Sequence, residues 1–98
     1  MALKVRLSPF ADADFAAIRA YLVPRSPQGA ERIRRAIEAT IDRLAEFPGI
    51  GRPAHIAGVR VVTVSGAPYH ILHKVSGDEL HIIHIRHSAR REPTDLPN

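Results

Sequence analysis

Apolar and polar positions alternate from Ala2 to Leu7, with Leu3, Val5 and Leu7 on one side and Lys4 and Arg6 on the other, which predicts a short strand. Ser8-Pro9 ends it and also reads as a helix start, a serine N-cap followed by proline at the first helical position. Ala11, Phe15, Ile18 and Leu22 then recur at spacings of four, three and four, one apolar stripe on a helix that must stop before Pro24. Asp12 and Asp14 fall near the positive end of its macrodipole. Ser26-Pro27 repeats the start signal, and Ile33, Ile37, Ile41 and Leu44 form a second stripe reaching Phe47, where Pro48-Gly49 breaks the helix. Two helices joined by so few residues pack as an antiparallel hairpin.

Residues 48–58 hold two prolines and three glycines without periodicity and read as a loop. Gly49-x-Gly51 follows a helix rather than a strand, so it is no nucleotide-binding fingerprint. Three strand-like runs come next, Val59 to Val64, Tyr69 to Val75 and Glu79 to His87, separated by Ser65-Gly66-Ala67-Pro68 and Ser76-Gly77-Asp78. Connections that short require an antiparallel meander. The expected fold is α+β, in the order β-α-α-β-β-β, with the helical hairpin packed on one face of an antiparallel sheet. The chain is read as a single domain over residues 1–98, with an ordered core over about 2–88 and a tail from 89 to 98.

Charge sharpens this picture. The 98 residues carry 14 Lys and Arg against 10 Asp and Glu, and the excess lies in residues 52–91, which suits an anionic partner. The polar side of the second helix, with Glu31, Arg32, Arg35, Glu38, Asp42, Arg43 and Glu46, mixes both signs as a solvated face does. No cysteine is present, which excludes a disulfide framework, thiolate zinc sites and a cysteine nucleophile. The start has no apolar signal region and no run reaches the ~18 apolar residues of a membrane span, so the expectation is a soluble cytoplasmic protein without membrane contact.

Histidines recur every three residues at His70 and His73 and at His81, His84 and His87. Strand alternation turns His84 away from His81 and His87, and His70 away from His73, which breaks up a metal site; no metal or cofactor is expected. His87 differs because it ends the last strand and is followed by Ser88, Arg90 and Arg91. With Arg86, and with Arg60 if that residue lies beside the last strand, it is a candidate cationic cluster able to hold phosphates and exchange a proton near neutral pH. No nucleophile-elbow serine and no paired carboxylates accompany it, and aromatic residues are too few for a base-stacking platform.

Five segments together resemble the ParE/RelE toxin superfamily. Ser8, Pro9, Ala11, Asp14 and Ile18 match its S-P-x-A-x-x-D-x-x-x-I opening, and Phe47, Pro48, Gly51 and Arg52 its F-P-x-x-G-R ending of the hairpin. Val59-Arg60, then Pro68-Tyr69-His70-Ile71 to Val75 with the Ser76-Gly77-Asp78 turn, and finally Ile82-Ile83-His84-Ile85-Arg86-His87-Ser88-Ala89-Arg90 complete the series over roughly residues 3–92. The resemblance implies the toxin of a type II toxin–antitoxin pair, neutralised by a ParD-like or related antitoxin encoded beside it. That antitoxin is expected over the hairpin's outer edge and the open sheet surface, with Ile33, Ile37 and Ile41 turned to the sheet.

ParE-type members stop growth by poisoning DNA gyrase without catalysing a reaction, and the P-Y-x-I-x-x-x-V and H-x-x-R spacings look more like them. Target-binding candidates are then Arg60, Arg86, His87, Arg90 and Arg91. RelE-type members cleave messenger RNA on the ribosome, and in that alternative the catalytic set is Arg60, Arg86, His87 and Arg90 with His87 as general base. This chain has no tyrosine after Tyr69 to serve as the late acid/base residue, and it has His73 where many relatives have Tyr.

Overall fold

The computed structural model describes residues 2–89. Its elements are β1 (Lys4–Leu7), α1 (Pro9–Leu22), α2 (Pro27–Glu46), β2 (Arg52–Pro53), β3 (Val59–Thr63), β4 (Tyr69–Ser76) and β5 (Glu79–His87). One five-stranded sheet runs β1-β5-β4-β3-β2. Three of its pairings are antiparallel, as the short connections require, whereas β1 lies parallel to β5. No tight turn joins β1 to β5, so the direction of that pairing is set by where the helical hairpin returns the chain, and the sheet is mixed.

Both helix starts form as serine caps. The Ala11 N–H donates to Ser8 Oγ at 3.0 Å and the Gly29 N–H to Ser26 Oγ at 3.0 Å, with proline at the first helical turn in each case. Ile33, Ile37, Ile41 and Leu44 are buried against Ile71, Leu80, Ile82 and Ile85 of the sheet. Each such side chain removed from water stabilises the fold by roughly 1.5–3 kcal/mol, so α2 carries the core. α1 is only half-buried, with Ala11 fully enclosed and Phe15, Ile18 and Leu22 at the edge, and Phe47 at the end of the second stripe is exposed.

Two further features depart from the sequence expectation. The stretch read as continuous loop contributes β2, two residues that pair with Val61 and Arg60 of β3. Gly51 permits this: its φ is +93°, and a Cβ there would stand 2.3 Å from the Val61 carbonyl oxygen. The other is a bulge in β5. His73 pairs with Ile82 but Leu72 pairs with His84, leaving Ile83 as the extra residue. His81 and His84 therefore stand opposite Lys74 and Leu72, positions of like parity, so the bulge undoes the alternation that separates these two histidines in the sequence. A second small cluster, Val59, Val61 and Leu72 with Ala54 and Ile83, lies on the sheet face away from the helices.

Candidate functional site

β1 covers β5 only as far as Ile82, and beyond that point side chains from the start of α1 take over the edge. Ser8 Oγ–H donates to the Ile83 carbonyl at 2.6 Å. Asp14 Oδ2 accepts from the Ile85 N–H at 3.0 Å and contacts His84 Nδ1 at 2.9 Å, with the Phe10 ring beside the imidazole. Asp14 thus serves as a partner for the strand, a role that its sequence position near a helix N-terminus did not reveal.

Next to this clamp, α1, the first turns of α2 and the open end of β4 and β5 enclose a groove of about 720 Å³. Ile18, Tyr21, Leu22, Ile33, Tyr69 and Ile85 supply apolar walls, and Arg32, Arg86 and His87 a basic rim. Arg32 is steadied by donating to the Gly66 carbonyl at 3.3 Å, and Arg25 stacks 3.8 Å over the Tyr21 ring. Tyr69 is 7% exposed, and burial pushes its hydroxyl pKa up, so the ring meets the groove as a neutral phenol. An apolar trough with cationic edges fits an amphipathic segment bearing acidic residues.

The structure brings together only part of the expected cluster. Arg86 and His87 are neighbours at the groove mouth; Arg90 and Arg91 lie outside the described residues. Arg60 is elsewhere. It stands opposite His73, whereas Arg86 stands opposite His70, whose other neighbour is Thr63. Three residues along β3 and two strand spacings separate Arg60 from Arg86, about 14 Å in the plane of the sheet, and alternation puts them on opposite faces. The turn lengths carried the distance, since Ser76-Gly77-Asp78 starts the register of β4 against β5, but the change of face comes from the β5 bulge.

His87 Nδ1 accepts from the Ala89 N–H at 3.1 Å, and the ring meets Tyr69 edge-on at 5.3 Å. The Ala89 contact engages the Nδ1 lone pair. His73, by contrast, is 1% exposed, and its two ring nitrogens have no hydrogen-bond partner among the described residues. No three His, Asp or Glu side chains among those residues gather as a metal site. Among the described residues no helix is long and apolar enough to cross a membrane.

The profile of a family described as "ParE toxin of type II toxin-antitoxin system, parDE" matches residues 5–92. Toxin RelE2 of Caulobacter vibrioides is 40% identical over 78 residues, 80% of this chain and 86% of its own. Putative toxin Y4kP of Sinorhizobium fredii is 33% identical over 79 residues, 81% of each chain. Among solved structures, a chain of the chromosomal ParDE system from P. aeruginosa superposes with a TM-score of 0.77 at 27% identity, covering 88% of this chain and 96% of that one. The toxin–antitoxin complex RelBE2 from Mycobacterium tuberculosis shares the fold, with a TM-score of 0.63 at 17% identity over 89% of this chain and 99% of the other.

Proposed function

Because the chain belongs to the ParE toxin family of type II toxin–antitoxin systems, we propose that it arrests growth by binding DNA gyrase and that a ParD-like or related antitoxin holds it inactive. The observation that carries the non-catalytic reading is the backbone contact of His87. Its Nδ1 is engaged by the backbone of Ala89, so that nitrogen is not free to take a proton from a ribose hydroxyl. Arg60 stands apart from the strand end, which removes one member of the set that the nuclease alternative requires. Arg86 and His87, with Arg90 and Arg91 beyond the described residues, act in this reading as the cationic face that meets the target. The antitoxin lays an acidic, apolar segment in the neighbouring groove and blocks that face by occupying it.

The name RelE2 on a relative 40% identical keeps ribosome-dependent messenger RNA cleavage as the second reading. The two diverge in living cells. Induced without antitoxin in a susceptible bacterium, the toxin is expected to stop thymidine incorporation before methionine incorporation, and His87→Ala to weaken it only modestly. A general base is worth about 10²–10⁴-fold in rate, so cleavage through His87 would instead stop protein synthesis first and lose nearly all toxicity in that variant.

A further inference from the structure

Residues 47–54 cross the end of β3 as a strap, and its fastening is unusual. The strap is held by the β2–β3 pairing, by the Ala54 N–H donating to the Val59 carbonyl at 2.8 Å, and by Arg60 Nη2 donating to the Gly51 carbonyl at 3.1 Å. Ile50 packs on the main core from the same segment. Directly opposite Arg60 sits His73, enclosed, with both ring nitrogens unpartnered among the described residues, while Arg60 Nε is also buried without a partner among them. The register partner of His73 on the other side is the apolar Ile82. Lys74, next along β4, belongs by alternation to the other face. Arg60 is thus the charged group that acts on the ring from β3, and the strap faces it with the backbone of Pro48.

We propose that His73 is an acid-operated catch: protonating it beside the Arg60 guanidinium drives Arg60 off the Gly51 carbonyl and releases the strap from the end of β3. A buried imidazolium that makes no hydrogen bond to the nearby backbone of Ile71 and Pro48, set against a second cation, is relieved when one of the two charges moves out to water. Arg60 is the mobile one, being partly exposed and fastened, among the described residues, by a single hydrogen bond. Burial, chiefly, and the Arg60 charge hold the His73 pKa below its ordinary 6.5, against an opposing pull from the backbone at Ile71 and Pro48. The closed form therefore binds fewer protons than the open form. Strap closure is fully present above pH 6.5 and is lost as pH falls from there through the lowered value.

Hydrogen exchange of the Ala54 amide, corrected for intrinsic rates, tests this on the whole chain between pH 5 and 7. The opening constant is expected to rise about tenfold per pH unit below the ordinary imidazole range, the slope of one proton taken up on opening. The β4–β5 amides should stay more protected than Ala54 throughout. In His73→Phe the slope should flatten, while His55, in the loop after β2, is retained in both proteins and cancels from the comparison. An unchanged slope in His73→Phe overturns the proposal, as does a wild-type Ala54 amide with no slope at all. Should the variant not fold, the ring nitrogen shifts of His73 in the wild type decide: the catch requires the ring to remain neutral while Ala54 is protected, and a ring that charges with Ala54 still protected refutes it.

Discussion

Gly51 is where a single residue sets the shape of the loop beside β3. Its positive φ is disfavoured for other L-residues by about 1–2 kcal/mol, and a Cβ would also run into a backbone oxygen that cannot swing aside. Gly51→Ala is therefore expected to destabilise by more than the φ penalty alone, measured as a lower urea midpoint with an unchanged m-value. A midpoint like that of the wild type would mean that the strap adapts freely. Contrast the Arg34 hub on α2, which pairs with Glu31 and with Glu38 and, together with Arg35, holds Glu31 down to about 2. That carboxylate's large shift says little about stability, because the network is open to solvent and salt screens it. Periodicity shows which helix positions are solvated, but not that Arg34 rather than Arg32 would be the hub.

At the scale of elements, the clearest finding is how the unpaired edge of β5 is closed. Asp14 supplies the acceptor that a longer β1 would have supplied, and Ser8 does the same for a carbonyl after capping the helix. Asp14→Ala leaves the Ile85 N–H unsatisfied and is expected to cost about 1–3 kcal/mol, read by chemical denaturation, with faster exchange at Ile85 than at the amides paired to β4. Equal protection at Ile85 in the variant would show that water replaces the carboxylate without loss. The helices and the three meander strands were legible because burial imposes periods of 3.6 and 2 that need no knowledge of neighbours. The β5 bulge, the parallel direction of β1 and the β2 pairing were not, since each depends on how distant segments meet. Asp14 and His73 belong to the same class: a local pattern reads one as a helix-start acid and the other as a strand histidine, and only the packing of distant segments sets Asp14 on β5 and His73 opposite Arg60. Arg60 shows the reverse in part. Its distance from Arg86 along the sheet follows from two turn lengths present in the sequence, whereas the opposite faces of the two depend on the β5 bulge.

As a whole molecule, the protein has one strong core between α2 and the sheet, and its less enclosed features gather at the two ends of the strands. One end carries the groove and the Arg86–His87 face, the other the strap with Arg60 and His73. This division keeps Arg60 apart from Arg86 and His87, in keeping with the proposed reading of a surface that binds its target. An antitoxin that fills the groove adds apolar contact to a thinly covered α1 and stabilises the toxin while masking it. The most direct test is DNA supercoiling by purified gyrase in the presence of this chain, with and without its antitoxin, beside a ribosome-bound messenger RNA in a parallel reaction. The account predicts that the chain inhibits supercoiling, that antitoxin restores it, and that the messenger stays intact. Unimpaired supercoiling together with a cleaved messenger would contradict it.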